Sequence, residues 1–199
     1  MILVVATMSR PVPFDGAVPD DALLARFVRG EAEALGELFD RHHRATYRFL
    51  ARLTGAAAAD LDDLVQAVFV EVARAARRFD GRSTTRTWIF GIAVNIARHH
   101  VRGAVRRRRV IAEQESERPS QVPGADRPDR NAEHRELLAA LDRAIRALPD
   151  ALREVFVACE IEGLSGAETA KVLGVAEGTV FRRLHEARKA LRAVLEEAP

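Results

Sequence analysis

The chain of 199 residues has one cysteine, Cys159, one tryptophan and one tyrosine. A lone thiol excludes an internal disulfide and fits a reducing compartment, so a cytoplasmic protein is expected. Cys159 itself, in "VFVACEI", is read as a buried core thiol rather than a redox sensor. No cysteine–histidine grouping has the spacing of a zinc site. The adjacent pairs His42–His43 and His99–His100 point about 100° apart on a helix and cannot chelate one ion together. Neither metal nor cofactor is therefore expected. No apolar run approaches the ~20 residues that cross a bilayer, so membrane insertion is not expected either. The apolar opening "MILVVATMSR" lacks the basic stretch and the length of a signal peptide, and Met8 offers an alternative start. Metalloprotease, α/β-hydrolase, P-loop and Rossmann patterns are all missing, which argues against an enzyme with a small-molecule substrate. Alternating β-branched stretches are nearly absent as well.

What remains is rich in Ala, Leu, Arg and Glu and 48% hydrophobic, a helical composition. A short helix is expected over Asp20–Arg29, ended by Gly30. A second runs from Glu31 to about Thr54, with Leu35, Leu38, Phe39, Tyr47, Leu50 and Leu53 on its apolar side and Gly55 beyond. Asp60 is read as the N-cap of a third helix, whose Leu61, Leu64, Val65, Val68, Phe69 and Val72 keep helical spacing toward Phe79. "DGRST" at 80–84 breaks the pattern. A fourth helix then runs from about Thr85 to Val101 or beyond, packing through Trp88, Ile89, Ile92, Ala93 and Ile96. "EQESERPSQVPGADRPDRN" has three prolines and many charges, the composition of a flexible linker. Leu137, Leu138, Leu141, Ile145 and Leu148 restart a helix stopped by Pro149, and another spans Asp150 to about Ile161. The expected fold is all-α: a tail at 1–19, a helical domain at 20–112, a flexible linker at 113–133 and a second helical domain at 134–199.

The second domain ends in "GLSGAETAKVLGVAEGTVFRRLHEARKAL", Gly163 to Leu191. Ser165 and Glu168 have the spacing of a capping box, and Gly174 stands where a left-handed residue ends a helix. A short turn through Val175 and Ala176 leads into a last helix at about Glu177, the layout of a helix-turn-helix. On a helical wheel Val180, Leu184, Ala187, Leu191 and Val194 face inward. Phe181, Arg182, His185, Glu186, Lys189 and Arg192 face outward, the first four placed to reach base edges. Arg188, Lys189 and Arg192 are better placed over phosphates. An ordinary helical hairpin with a solvated basic face is the competing reading. From Leu137 onward there are nine basic and ten acidic residues, so this domain has no strong field and should hold DNA weakly alone.

A second basic region compensates. Gly81 to Ala112 has no acidic residue but has eight arginines (82, 86, 98, 102, 106, 107, 108 and 109) with His99 and His100, in a chain of net charge only +2. A basic tail for RNA or membrane surfaces would explain "RRRR" at 106–109. It would not explain an apolar helical face preceded by a small polar loop, which suits single-stranded DNA with an extruded base. Trp88 is read as core rather than as a stacking platform.

"DLDDLVQAVFVEV", "RFDGRSTTRTWIFGIAVNIARHHVR" and "ALPDALREVFVACEIEGLSGAETAKVLGVAEGTVFRRLHEARKAL" together resemble regions 2 and 4 of bacterial sigma factors of the extracytoplasmic-function class. The resemblance covers about Asp20–Arg109 and His134–Val194. It implies a factor that binds core RNA polymerase and directs it to promoters, reading a −35 duplex and a melted −10 strand. Polymerase would meet the outward Asp62, Asp63, Gln66, Glu71 and Arg74. The loop Asp80, Gly81, Arg82, Ser83, Thr84 and Thr85 would capture a flipped −10 base, with Asn95, Arg98, His99 and Arg102 on the following helix approaching the same DNA. Thr179, Phe181, Arg182, Arg183, His185, Glu186, Arg188 and Lys189 would serve the −35 element. An anti-sigma factor that clamps both domains is a further implied partner.

Some positions depart from the family's pattern. Ala67 replaces a common acidic residue, Gly91 and Val94 stand where arginines often sit, and Phe181 and Glu186 replace basic residues. Phe181 suits a thymine methyl and Glu186 a cytosine amino group, so no −35 consensus transfers. A linker of about 20 residues would let both domains engage one promoter and raise the effective concentration of the second contact. A stand-alone DNA-binding regulator and a basic RNA-binding adaptor remain as alternatives; the first would bind duplex tightly without polymerase.

Overall fold

The computed structural model of the chain describes residues 18–114 and 132–196, and every regular element among them is helical. The first half contains α1 (Asp20–Val28), α2 (Ala32–Thr54), α3 (Ala58–Ala75), a single 3-10 turn (Ala76–Arg78) and α4 (Thr85–Gln114). The second contains α5 (Ala132–Ala147), α6 (Asp150–Phe156), a π-helical turn (Val157–Ile161), α7 (Gly166–Leu173) and α8 (Glu177–Glu196). Most of the expected tail and linker lies outside the described residues, as do the side chains of Leu137, Leu138 and Val194. Residues 113–114 and 132–133, at the edges of the expected linker, belong to α4 and α5.

Helix α2 packs against α1, α3 and α4, because its inward stripe of Leu38, Phe49, Leu50 and Leu53 is complemented from three sides. Val68 and Val72 of α3 and Ile89, Phe90, Ala93 and Val94 of α4 close the same core. Phe49 and Phe90 stack with centroids 4.5 Å apart. The buried face of α4 is thus wider than expected: Phe90, Val94 and Ala97 are buried, whereas Trp88, Ile92 and Ile96 are only half-buried. Phe39 corrects the reading of α2. It is exposed, stacked on His43 and edge-on to Phe69, because it sits at the rim of the α2–α3 seam.

Asp60 is not an N-cap. Helix α3 begins two residues earlier, after extended Ala57, so Asp60 lies in its first turn, where its charge still favours the helix N-terminus. The Ser165–Glu168 capping box forms in full, and Gly174 ends α7 in the left-handed region at φ 69°. Helix α6 stops at Phe156 and passes into the π-helical turn, which leaves Cys159 half-buried with Sγ 3.2 Å from Thr169 Oγ1. Burial raises the Cys159 pKa above its ordinary value.

A polar clamp fastens α1. The Asp20 carboxylate meets His42 Nε2 at 2.7 Å and accepts from Arg41 Nη1 at 2.9 Å. Hydrogen bonding to His42 outweighs desolvation and lowers the Asp20 pKa. A carboxylate with a depressed folded pKa stabilises fully above its unfolded value, and the contribution is lost as pH falls through the folded value. Asp20→Asn should therefore lose about 1–2 kcal/mol at neutral pH, with the deficit shrinking in acid as the native Asp20 protonates. Urea midpoints at both pH values test this; a deficit constant with pH would assign the loss to packing.

Candidate nucleic-acid interface

The loop between α3 and α4 is built by its own side chains. Asp80 Oδ1 accepts from the Arg82 amide at 3.1 Å while Gly81 takes φ 70°, a conformation that favours glycine. Thr84 Oγ1 then accepts from the Thr87 amide at 3.1 Å and caps α4. This leaves Arg82 and Thr84 exposed and Ser83 half-buried. Thr85, expected on the DNA side, is instead buried and donates to Asp21 of α1, so it anchors the base of the loop. Trp88 is half-buried and tilted against Phe79, centroids 5.1 Å apart. Asn95, His99 and Arg102 are exposed at helical spacing along α4, and Arg106 continues the exposed basic character; the side chains of Arg107, Arg108 and Arg109 lie outside the described residues.

Arg98 differs from these neighbours. Its guanidinium binds Glu154 of α6 bidentately, Nε to Oε1 at 2.8 Å and Nη2 to Oε2 at 2.7 Å, and Nη2 also reaches the Leu173 carbonyl at 3.3 Å. The Glu154 bond raises the Arg98 pKa further. Arg86 Nη2 pairs with Glu162 Oε2 at 3.0 Å, Thr87 Oγ1 donates to Glu168 at 3.2 Å, and Lys171 Nζ donates to the Arg82 carbonyl at 2.7 Å. Burial nevertheless raises the Glu162 pKa, outweighing Arg86. The second half thus sits against the loop and the start of α4. A groove lined by Ser83, Thr87, Trp88 and Asn95 is closed on its other side by Lys171 and Val172. Arg86, Thr87, Glu154, Glu162 and Lys171 were not foreseen in this role. The available signal was Glu154 itself, an acid beside the apolar run Val155–Phe156–Val157.

Helix α8 buries Val180, Leu184, Ala187 and Leu191 against α6 and α7. Phe181, Arg182, His185, Glu186, Arg188 and Lys189 are exposed; Thr179 and Arg183 are half-buried. Arg182 Nη1 donates to Glu186 at 3.0 Å, and Arg188 pairs with Glu160 of the π-helical turn. On α3, Asp62, Asp63, Gln66, Glu71 and Arg74 are exposed on the side opposite Leu61, Leu64, Val68 and Val72, with Ala67 and exposed Val70 among them. Three outward faces therefore exist: a mainly acidic one on α3, a basic one on α4 and a mixed one on α8.

The sigma-70 region 2 family model matches residues 38–107, and the sigma-70 region 4 model matches residues 138–191. The ECF RNA polymerase sigma factor SigM of Mycobacterium tuberculosis strain H37Rv is 37% identical over 88% of this chain and 84% of its own length. The chain belongs to the ECF RNA polymerase sigma factors. The RNA polymerase sigma factor NccH of Alcaligenes xylosoxydans xylosoxydans is 32% identical over 90% of this chain and 96% of its own. Among solved structures, CnrH in complex with the cytosolic domain of CnrY matches with a TM-score of 0.67 and 29% identity, over 90% of this chain and 99% of that one. The region 2 match takes in α3, the loop and α4 of this sigma factor through residue 107, and the region 4 match takes in the helix-turn-helix. Among the described residues no three potential ligands group to hold a metal, and no helix is long and apolar enough to cross a membrane.

Proposed function

We propose that this sigma factor docks on core RNA polymerase through the outward face of α3 and engages a promoter through two separate surfaces. Asp62, Asp63, Gln66, Glu71 and Arg74 form the docking face. Asp80 to Thr84 and the exposed Asn95, His99 and Arg102 serve the −10 strand, joined by Arg98 once Glu154 releases it; Thr85 anchors the loop. Thr179, Phe181, Arg182, Arg183, His185, Glu186, Arg188 and Lys189 serve the −35 duplex, some through base edges and others through phosphates. The observation that supports this reading is the presence of both sigma regions, in order, in one chain that spans most of its relatives' length.

The work is binding rather than catalysis. An unpaired base costs a few kcal/mol, offset by its pocket and by phosphate contacts, while the duplex contact sets position. The chain acts in the cytoplasm, where polymerase and promoters are. Because CnrH is found with the cytosolic domain of CnrY, a protein regulator of the anti-sigma kind is a proposed partner here too.

Size-exclusion chromatography with core RNA polymerase is the direct test. The native chain should co-elute with core enzyme, and Asp63→Arg, which reverses an exposed charge without touching the core, should weaken the complex about tenfold. No complex together with tight duplex binding by the free chain would establish a stand-alone regulator instead.

A further inference from the structure

Phe181 is a large apolar side chain left in water: 57% exposed, on the outward side of α8, in its second turn. Isolated exposed aromatics are ordinary and need no role. This one is held in place. A Cβ built on Gly166, at the start of α7, would lie 2.8 Å from Phe181 Cζ and 3.3 Å from Cε1, with Glu177 Oε1 at 3.1 Å. The ring therefore rests edge-first on the one surface of α7 that has no side chain, beside Glu177. It is braced against folding back and still presents more than half its surface outward.

The neighbouring groups are polar and mutually engaged. Arg182 Nη1 is bonded to Glu186, so the carboxylate expected to accept from a cytosine is oriented toward an arginine of its own helix. His185 lies one turn beyond Phe181 on the exposed side. An apolar ring among these groups finds one apolar partner on the major-groove edges of the bases, the C5-methyl of thymine. We infer that Phe181, braced by Gly166, selects a thymine in the −35 element by contact with its methyl group. This rests on the sigma reading above. It adds a specificity-determining residue and a positioning residue to it.

The test uses the chain assembled with core RNA polymerase. Transcription from a promoter library randomised across the −35 region identifies the bases the native complex enriches. Each enriched thymine is then replaced singly by deoxyuridine, which lacks only the methyl. At one position the loss of the methyl should weaken promoter-complex formation about three- to tenfold. Phe181→Ala should abolish the difference between the thymine and deoxyuridine templates. Gly166→Ala should reduce the thymine-to-deoxyuridine ratio in the native background and leave that ratio unchanged in Phe181→Ala, where no ring remains to displace; the new Cβ also meets Glu177 Oε1 at 3.1 Å, which affects both templates alike. Equal losses on thymine and deoxyuridine templates, or no sensitivity to any methyl, would overturn the assignment. An equal effect of Gly166→Ala in both backgrounds would remove its positioning role. Failure of every library member to be transcribed would overturn the sigma reading beneath it.

Discussion

Glu154→Ala should strengthen the hold of the free chain on single-stranded DNA. Glu154 is buried and its only charged partner among the described residues is Arg98, bound bidentately at 2.7 and 2.8 Å. Removing the carboxylate frees a guanidinium on the face proposed for the −10 strand. It also deletes a central polar tie between the halves, which stay joined by the Thr87–Glu168, Lys171–Arg82 and Arg153–Leu53 hydrogen bonds, the Arg86–Glu162 pair and the packing of α7 on α4. The Arg98 side chain is 32% exposed, so the pair is partly screened and worth about 1–1.5 kcal/mol rather than the larger value of a dry one. When the competent form is a minor fraction, apparent affinity rises with that fraction, here by about fivefold to tenfold. Fluorescence anisotropy with a labelled random-sequence oligodeoxynucleotide reads this, and the added Arg98→Ala substitution should remove the gain. Weaker binding by Glu154→Ala would mean that the contact supports the DNA face instead of covering it.

A larger loss, of stability, is expected from Phe90→Ala. The ring is 1% exposed, stacked on Phe49 at 4.5 Å, and lies under the Arg86 guanidinium at 4.7 Å. Emptying a site packed on this many sides costs about 3–5 kcal/mol, because the rigid helices around it collapse only partly. The lost cation–π contact adds about 0.5–1 kcal/mol. Against a typical domain stability of about 5–15 kcal/mol, the variant should unfold at far lower urea, taking with it the α2–α4 packing that positions the face proposed for the −10 strand. Phe90→Leu should cost much less, about 1.5 kcal/mol or below. Urea melts followed by circular dichroism compare the two. A Phe90→Ala loss as small as that of Phe90→Leu would show that the ring does not fill the core as described.

Local chemistry made the helix-turn-helix legible in advance. A capping box acts over three residues, a left-handed glycine acts at one, and the apolar stripe of α8 repeats at the helical period. Neighbours in sequence therefore decide these features: the box and the glycine formed where expected, and so did the stripe at Val180, Leu184, Ala187 and Leu191, Val194 lying outside the described residues. The same holds for α3, whose six expected core residues, Leu61 to Val72, are all buried while Val70 stays exposed. Helix α4 was harder. Packed between α2, α3 and α7, it buries Phe90 and Val94 as well as Ile89 and Ala93, and an apolar band that wide has no single periodic face to detect. Asp60 shows a different limit, since a cap depends on where the preceding backbone turns, and Ala57 took that position.

By itself the amino-acid sequence determined the all-helical class, the order of the two sigma-region blocks and the local reversal of charge between residues 81 and 112, because these follow from composition, spacing and short-range hydrogen bonding. Only the tertiary structure decided which members of those blocks stand free. Thr85 went into the core through Asp21, and Arg98 to Glu154, 56 residues away. Phe181 came to rest on Gly166. Each outcome depends on which groups meet when helices distant in sequence pack together, and no local spacing specifies that.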